Sequence, residues 1–291
     1  MIAAIWHRLR DGVARFVHEP DWTTFVGNDW TARIMDVPVR DRFHAKQGRS
    51  IGRWRLNADG QWLVVYLKRH YRLSRWAGLL AMLFPSRAWS PGLREWHHLK
   101  TASALGLPTP RAVAAGQWAG PWGRLRSFIA IEELAGMLPL HEAVPLAAHR
   151  LAPAAFARWK RGLIRELARN VRLLHDRGWF HNDLYMCHFY IPEALTYAAP
   201  EQWQNRVSVI DFHRFGRAHG GMFYSRVKDL GQLLYSSQVE GVTNRDRRLF
   251  WLLYRGRRRQ SLLRRAIEFK AGRYRRHNAR RKANRTRGVA A

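Results

Sequence analysis

The spacing of apolar and polar positions changes several times along the chain, and each change marks a predicted element. Ile2, Ile5, Leu9, Val13 and Phe16 recur near the helical period, which predicts an amphipathic helix over residues 1–20, flanked by Arg8, Arg10 and Arg15. Residues 21–68 move to a strand-like pattern. Arg53-Trp54-Arg55-Leu56 alternates, Asn57-Ala58-Asp59-Gly60 supplies turn chemistry, and Gln61 to Lys68 returns as a second strand. This is a hairpin with Lys68 at the end of its return strand. Residues 70–90 mix basic, aromatic and apolar side chains, and Pro91-Gly92 closes them. A helix is predicted over 93–105, ended by Gly106, Pro108 and Pro110. Two strand-like pieces follow, around 111–115 and 125–131.

After the linker-like run Glu132-Glu133-Leu134-Ala135-Gly136 the period becomes helical. Residues 156–177 put Leu163, Leu167, Val171 and Leu174 on one face and end at Gly178. Residues 193–206 read as an insert. Residues 223–236 form another helix, with Val227, Leu230, Leu233 and Leu234 inward, and 246–276 a very basic helical stretch. No internal repeat is visible. The pattern predicts an α+β chain in two lobes: an N-terminal amphipathic helix (1–20), a lobe with an antiparallel sheet and one helix (21–133), a mainly helical lobe (134–255), and a basic C-terminal helix or tail (256–291).

Composition narrows the partners. The 291 residues are 47% hydrophobic, which suits a globular chain with a sizeable core. The formal net charge of +30 favours polyanions: nucleic acid, anionic lipid or a phosphorylated glycolipid. From Arg255 to Arg287 there are fifteen Lys and Arg and one acid, Glu268. The single cysteine, Cys187, cannot form an internal disulfide or a cysteine-based zinc site. The apolar stretch 76–84 is too short to span a bilayer, and His7, Arg8 and Arg10 interrupt any signal-peptide core. The expected location is the cytosol or the cytosolic face of a membrane. Fourteen tryptophans suit a core together with some interfacial contact.

Two motifs carry chemistry. His181-Asn182-Asp183-Leu184-Tyr185-Met186-Cys187-His188 has the shape of a kinase catalytic loop, and Val209-Ile210-Asp211-Phe212-His213 follows with Asp211 leaving a buried strand. Phosphoryl transfer needs cations against the phosphates, carboxylates for a divalent metal, and a group that orients the acceptor hydroxyl. Asp183 fits the last role and Asp211 is the best metal ligand. His181 fits support of the loop backbone, and Asp229 hydrogen bonding to it. His188 suits a metal, a phosphate oxygen or a core position. Lys68 matches a strand-end lysine for nucleotide phosphates, and Glu95 a partner that fixes its ammonium, or a first-turn acid on its helix. Gly48 and Gly52, just before the first strand, let a hairpin close over phosphates, or form an ordinary turn. Glu132, opening the linker, completes the nucleotide-binding candidates.

These residues resemble the lipopolysaccharide kinase (Kdo/WaaP) family, which has a protein-kinase-like fold. Tyr66-Leu67-Lys68-Arg69-His70, Arg94-Glu95-Trp96-His97, the His181–Phe189 run, Val209-Ile210-Asp211-Phe212-His213-Arg214 and the Lys228–Ser237 run stand in the family order over about residues 40–255. His188 at the usual asparagine position is a feature of that family, whereas Asn182 stands where it often has arginine. The resemblance implies ATP- and Mg²⁺-dependent phosphorylation of a heptose or Kdo hydroxyl of the lipopolysaccharide inner core. It implies Lys68 and Glu95 as the phosphate anchor, Asp183 as base, and His188 with Asp211 on metal or phosphate. The implied setting is peripheral, at the cytoplasmic face of the inner membrane, with the core glycolipid and an anionic surface as partners. Two rival readings are a small-molecule kinase of the aminoglycoside or choline type, and a basic nucleic-acid-binding protein. The second leaves Asp183 and Asp211 unexplained and lacks a recognition motif.

Overall fold

A computed structural model describes residues 2–38, 41–44, 48–256 and 261–289. The start of the loop before Gly48 and residues 257–260 and 290–291 of the expected basic tail lie outside the described residues. The chain divides into two compact units, one of Met1–Thr101 with Pro110–Ala135, the other of Ala102–Thr109 with Gly136–Ala291.

The first unit begins with helix α1 (Ile2–Asp11), and then the chain extends as β1 (Val13–His18). The predicted helix over 1–20 therefore stops early. Gly12, at φ +86, breaks it, and β1 pairs antiparallel with β5 (Ala112–Gly120), from Val13 opposite Ala119 to His18 opposite Ala114. Sheet pairing outweighs a helical spacing that two apolar residues, Val13 and Phe16, merely continued. Two short helices, α2 (Trp22–Val26) and α3 (Trp30–Arg33), interrupt the predicted β region. They bury Trp22 and Trp30 with Leu63, Val65, Leu67 and Phe128. Several of the tryptophans are thus core residues.

Strands β2 (Asp41–His44), β3 (Arg49–Ala58), β4 (Gln61–His70) and β6 (Arg124–Glu132) complete a six-stranded sheet in the order β1-β5-β6-β4-β3-β2. The β3–β4 hairpin turns at Asp59-Gly60, both at positive φ, as the turn chemistry requires. Helix α4 (Arg75–Leu83) occupies the basic aromatic segment, and α5 (Pro91–Ala104) follows. A Cβ on Gly92 would come 2.2 Å from the carbonyl oxygen of Phe128, so glycine is what lets the start of α5 lie directly on β6.

The second unit has a three-stranded sheet of β7 (Met137–Pro139), β9 (Phe189–Pro192) and β10 (Ser208–Val209), and a two-stranded ribbon of β8 (Trp179–Phe180) and β11 (Gly216–Arg217). Its helices are α6 (Leu140–Arg150), α7 (Pro153–Asp176), α8 (Met222–Ser236), α9 (Asn244–Arg255) and α10 (Ser261–Val289). Leu163, Leu167, Val171 and Leu174 of α7 are buried, as their spacing requires. In α8, Val227, Leu230 and Leu233 are buried, while Leu234 lines a cavity described below.

Candidate active site

The site is built from residue contacts within each unit. In the first, Lys68 lies inside β4, two residues short of its end, with Ile51 and Ile129 opposite it on the neighbouring strands. A lysine so flanked cannot turn to solvent as freely as a loop lysine. Its Nζ donates to Glu95 Oε1 at 2.6 Å. Glu95 is on α5 and buried, so its carboxylate is held chiefly by this cation. A buried ion pair of this kind fixes geometry more than it stabilises the fold.

The remaining nucleotide candidates are less uniform. Gly48, at φ +54, lies in the turn between β2 and β3. Gly52 does not share that turn: it sits within β3, paired with Asp41 on one side and Leu67 on the other. The expectation that both glycines precede the strand is corrected, because ladder bonds on both sides draw Gly52 into the sheet despite its low strand propensity. Glu132 ends β6, where its Oε2 accepts from Arg111 Nε at 2.7 Å.

In the second unit, four backbone N–H groups of the segment from His181 to His188 are held by one face of α8. Asp229 is fully buried. Its Oδ2 accepts from the His181 backbone N–H at 2.9 Å and its Oδ1 from that of Asn182 at 2.7 Å. Gln232 Oε1 accepts from the Leu184 N–H at 3.0 Å, and Ser236 Oγ from the Met186 N–H at 2.9 Å. Gln232 also donates from Nε2 to Asp183 Oδ1 at 3.3 Å. Asn182 takes φ +63, a region that asparagine tolerates better than most side chains. Behind this face, His175 of α7 bridges Asp229 Oδ2, at 3.2 Å from its Nε2, and the hydroxyl of Tyr254 on α9, at 2.9 Å from its Nδ1.

The two loop histidines have distinct positions. His181 is buried, and its Nε2–H donates to the Ile210 carbonyl at 2.9 Å. Burial pushes its pKa down. His188 Nδ1–H donates to the Asp183 carbonyl at 2.7 Å, and its Nε2 lies 3.8 Å from Asp211 Oδ2. Burial opposes charge on His188, but its hydrogen bonds with Cys187 and the Asp183 carbonyl, and the Asp211 carboxylate, outweigh that and raise its pKa to about 9.

Asp211 itself is in the left-handed region, at φ +66, just past β10. A non-glycine residue in that region stores strain, as functional positions often do. Its Oδ1 lies 2.6 Å from Nδ1 of His213. Ligand atoms of Asp183, Asp211 and His213 all lie within 4.8 Å of one another, close enough to share a metal ion. The sequence pairing of His188 with Asp211 omitted His213, and it also omitted Gln232 and Ser236. The signal for His213 was its place two residues after Asp211. Gln232 and Ser236 follow Asp229 at helical spacings of three and seven.

The model of the lipopolysaccharide kinase (Kdo/WaaP) family matches residues 42–254. The lipopolysaccharide core heptose(I) kinase WaaP of Pseudomonas aeruginosa is 32% identical over 200 residues, 68% of this chain and 72% of that protein. Its namesake in Escherichia coli K12 is 34% identical over 164 residues, which are 56% of this chain and 59% of that protein, so less than two thirds of that relative is spanned. A solved structure of WaaP in complex with acyl carrier protein superposes with a TM-score of 0.65 at 27% identity, covering 89% of this chain and 98% of that one. The motifs that carried the resemblance all fall within the matched residues, and the chain belongs to the lipopolysaccharide kinase (Kdo/WaaP) family.

Proposed function

We propose that this chain transfers the terminal phosphoryl group of ATP to a heptose hydroxyl of the lipopolysaccharide core. The family makes it a phosphotransferase acting on a sugar hydroxyl of that core. The observation that carries the residue assignment is the convergence of Asp183, Asp211 and His213 on a loop fixed by α8. Gln232 engages Asp183 Oδ1, which leaves Oδ2 to receive the proton of the acceptor hydroxyl. Lys68, oriented by Glu95, is assigned to the nucleotide phosphates, with Gly48 in the turn over them. Gly52 and Glu132 are assigned to framing the nucleotide through the sheet. Two carboxylates in the trio are hard oxygen donors and fit Mg²⁺, whereas His213 is a softer third ligand. Asp211 would hold the ion, which when bound supplies charge neutralisation for the phosphates, and Asp183 lies beside it as the base. His188 is assigned to holding the Asp183 backbone and facing Asp211.

The test is transfer of labelled phosphate from ATP to defined core oligosaccharides. Asp183→Asn should lower kcat about 10²- to 10⁴-fold, the usual span for a removed general base. Equal rates for variant and parent would sink the assignment. Because the acceptor is a glycolipid and the donor is ATP, we assign the enzyme to the cytoplasmic face of the inner membrane.

A second partner is favoured by one observation. The second unit contains a cavity of about 330 Å³, lined largely by apolar side chains of five helices, among them Leu163, Leu167, Leu233, Trp251 and Ile267, with Arg247 and Arg248 also on its wall. The WaaP neighbour was solved with acyl carrier protein. We propose that this chain takes such a carrier, with its acyl chain in the cavity. Native mass spectrometry after co-expression checks this: the parent should retain an acylated carrier, and Leu167→Arg should lose it.

A further inference from the structure

Three tryptophans project from three different elements of the first unit. Trp6 on α1 is 60% exposed, Trp76 on α4 is 75% exposed, and Trp122, in the turn between β5 and β6, is 62% exposed. Their elements are packed together. Leu9 of α1, Ala77 and Leu79 of α4, and Ala119 and Leu125 of β5 and β6 share one apolar cluster. A Cβ on Gly78 would come 2.1 Å from the carbonyl oxygen of Gly123, so helix and turn meet backbone to backbone. The inward faces of these elements are satisfied, yet each still carries an outward indole. Leu83 and Phe84, at the end of α4, are exposed beside them in sequence.

Trp122 makes the case sharper. It adopts φ 56 and ψ 35, the left-handed region, which is unfavourable for a bulky side chain. Strain at a core tryptophan is ordinarily offset by burial. Here the ring is mostly in water, so burial of the indole does not offset the strain. The surrounding charge is of one sign. Segments 1–16, 71–90 and 117–126 hold eight arginines and one acid, Asp11, and Asp11 is held by Arg10 and His7. Arg75, Arg87 and Arg124 are exposed. No helix among the described residues is long and apolar enough to cross a membrane.

We propose that this face of the first unit docks on an anionic lipid bilayer, with Trp6, Trp76 and Trp122 at headgroup depth and the arginines on lipid phosphates. Indoles favour the boundary between water and hydrocarbon, and arginine is attracted to anionic headgroups. The proposal rests on the reading that the acceptor is a membrane-embedded glycolipid.

The test uses the full chain in flotation with vesicles of phosphatidylcholine, alone or with phosphatidylglycerol. Activity is read in parallel on soluble core oligosaccharide and on vesicle-embedded lipopolysaccharide. The parent should float with the anionic vesicles. Trp6→Ser/Trp76→Ser/Trp122→Ser should partition at least about tenfold more weakly, keep its rate on the soluble acceptor, and lose rate on the embedded one. A triple variant that floats like the parent overturns the docking face, since binding then comes from other basic surface. Trp122→Gly guards against a folding defect. Glycine accepts positive φ, so this variant should keep its thermal midpoint while floating more weakly, and unchanged flotation overturns the proposal. A parent that phosphorylates neither acceptor overturns the kinase reading instead, and flotation still judges the docking face.

Discussion

At the level of single residues, the consequences follow from what burial leaves each group to bond with. Asp229 accepts two backbone N–H groups and contacts His175 with no exposure to water. Asp229→Ala would leave two buried donors unpaired, at about 1–3 kcal/mol each, so a loss of roughly 3 kcal/mol or more in denaturant unfolding is expected. Tyr254→Phe removes the hydrogen bond to His175 and should cost about 1 kcal/mol. His70, on β4, gives a pH dependence. Burial first, then the nearby Arg49, Lys68 and Arg94 charges, lower its pKa from 6.5 to about 4. A histidine kept neutral by the fold is protonated more readily when unfolded, so stability rises with pH through this window. Its contribution is complete above about pH 6.5 and is lost as pH falls from there to about 4. Unfolding midpoints at pH 7 and pH 4.5 should differ less in His70→Asn than in the parent.

At the level of elements, α8 decides the order of the loop from His181 to His188, the proposed catalytic segment. Asp229, Gln232 and Ser236 lie on one face and hold the backbone of residues 181, 182, 184 and 186. Gln232→Leu keeps the volume but removes the Leu184 acceptor and the Asp183 donor together. Steady-state kinetics should show kcat falling by about tenfold or more with little change in KM for ATP, because Lys68 and Glu95, the residues proposed for the nucleotide, are untouched. Helices α7 and α8 were legible because their buried leucines and valines follow the helical period. The chemistry-bearing loop was legible because its residue types are rare in combination. The ladder on α8 was legible at Asp229, whose bonds to the loop backbone were expected; Gln232 and Ser236 escaped because buried polar residues look like surface residues in a sequence, and their backbone partners have no sequence signature. Two other elements escaped for physical reasons. β1 borrows its identity from pairing with β5, and α6 carries an internal proline, Pro145, that reads as a breaker.

At the level of the whole molecule, charge dominates. There are 51 Lys and Arg against 21 Asp and Glu. Several acids are already in ion pairs, among them Glu95, Glu133, Glu166 and Asp246. Even if every acid took one cation, thirty would remain without an acidic partner. Salt therefore has two opposed effects on stability. It weakens exposed ion pairs, each worth about 0–1 kcal/mol. It also screens repulsion among the excess cations, which are spread over a surface where the Debye length is about 10 Å at 0.1 M salt. The excess outnumbers the pairs, and an enclosed pair such as Lys68–Glu95 is little affected by screening because Glu95 is buried. Repulsion thus outweighs pairing, and the native state should gain from added salt. Thermal unfolding at 20 and 300 mM sodium chloride should show the midpoint rising by about several degrees, roughly what 1–2 kcal/mol produces in a protein of this size. A midpoint that falls with salt would mean that the ion pairs dominate, and that the arginines are distributed too sparsely to repel one another.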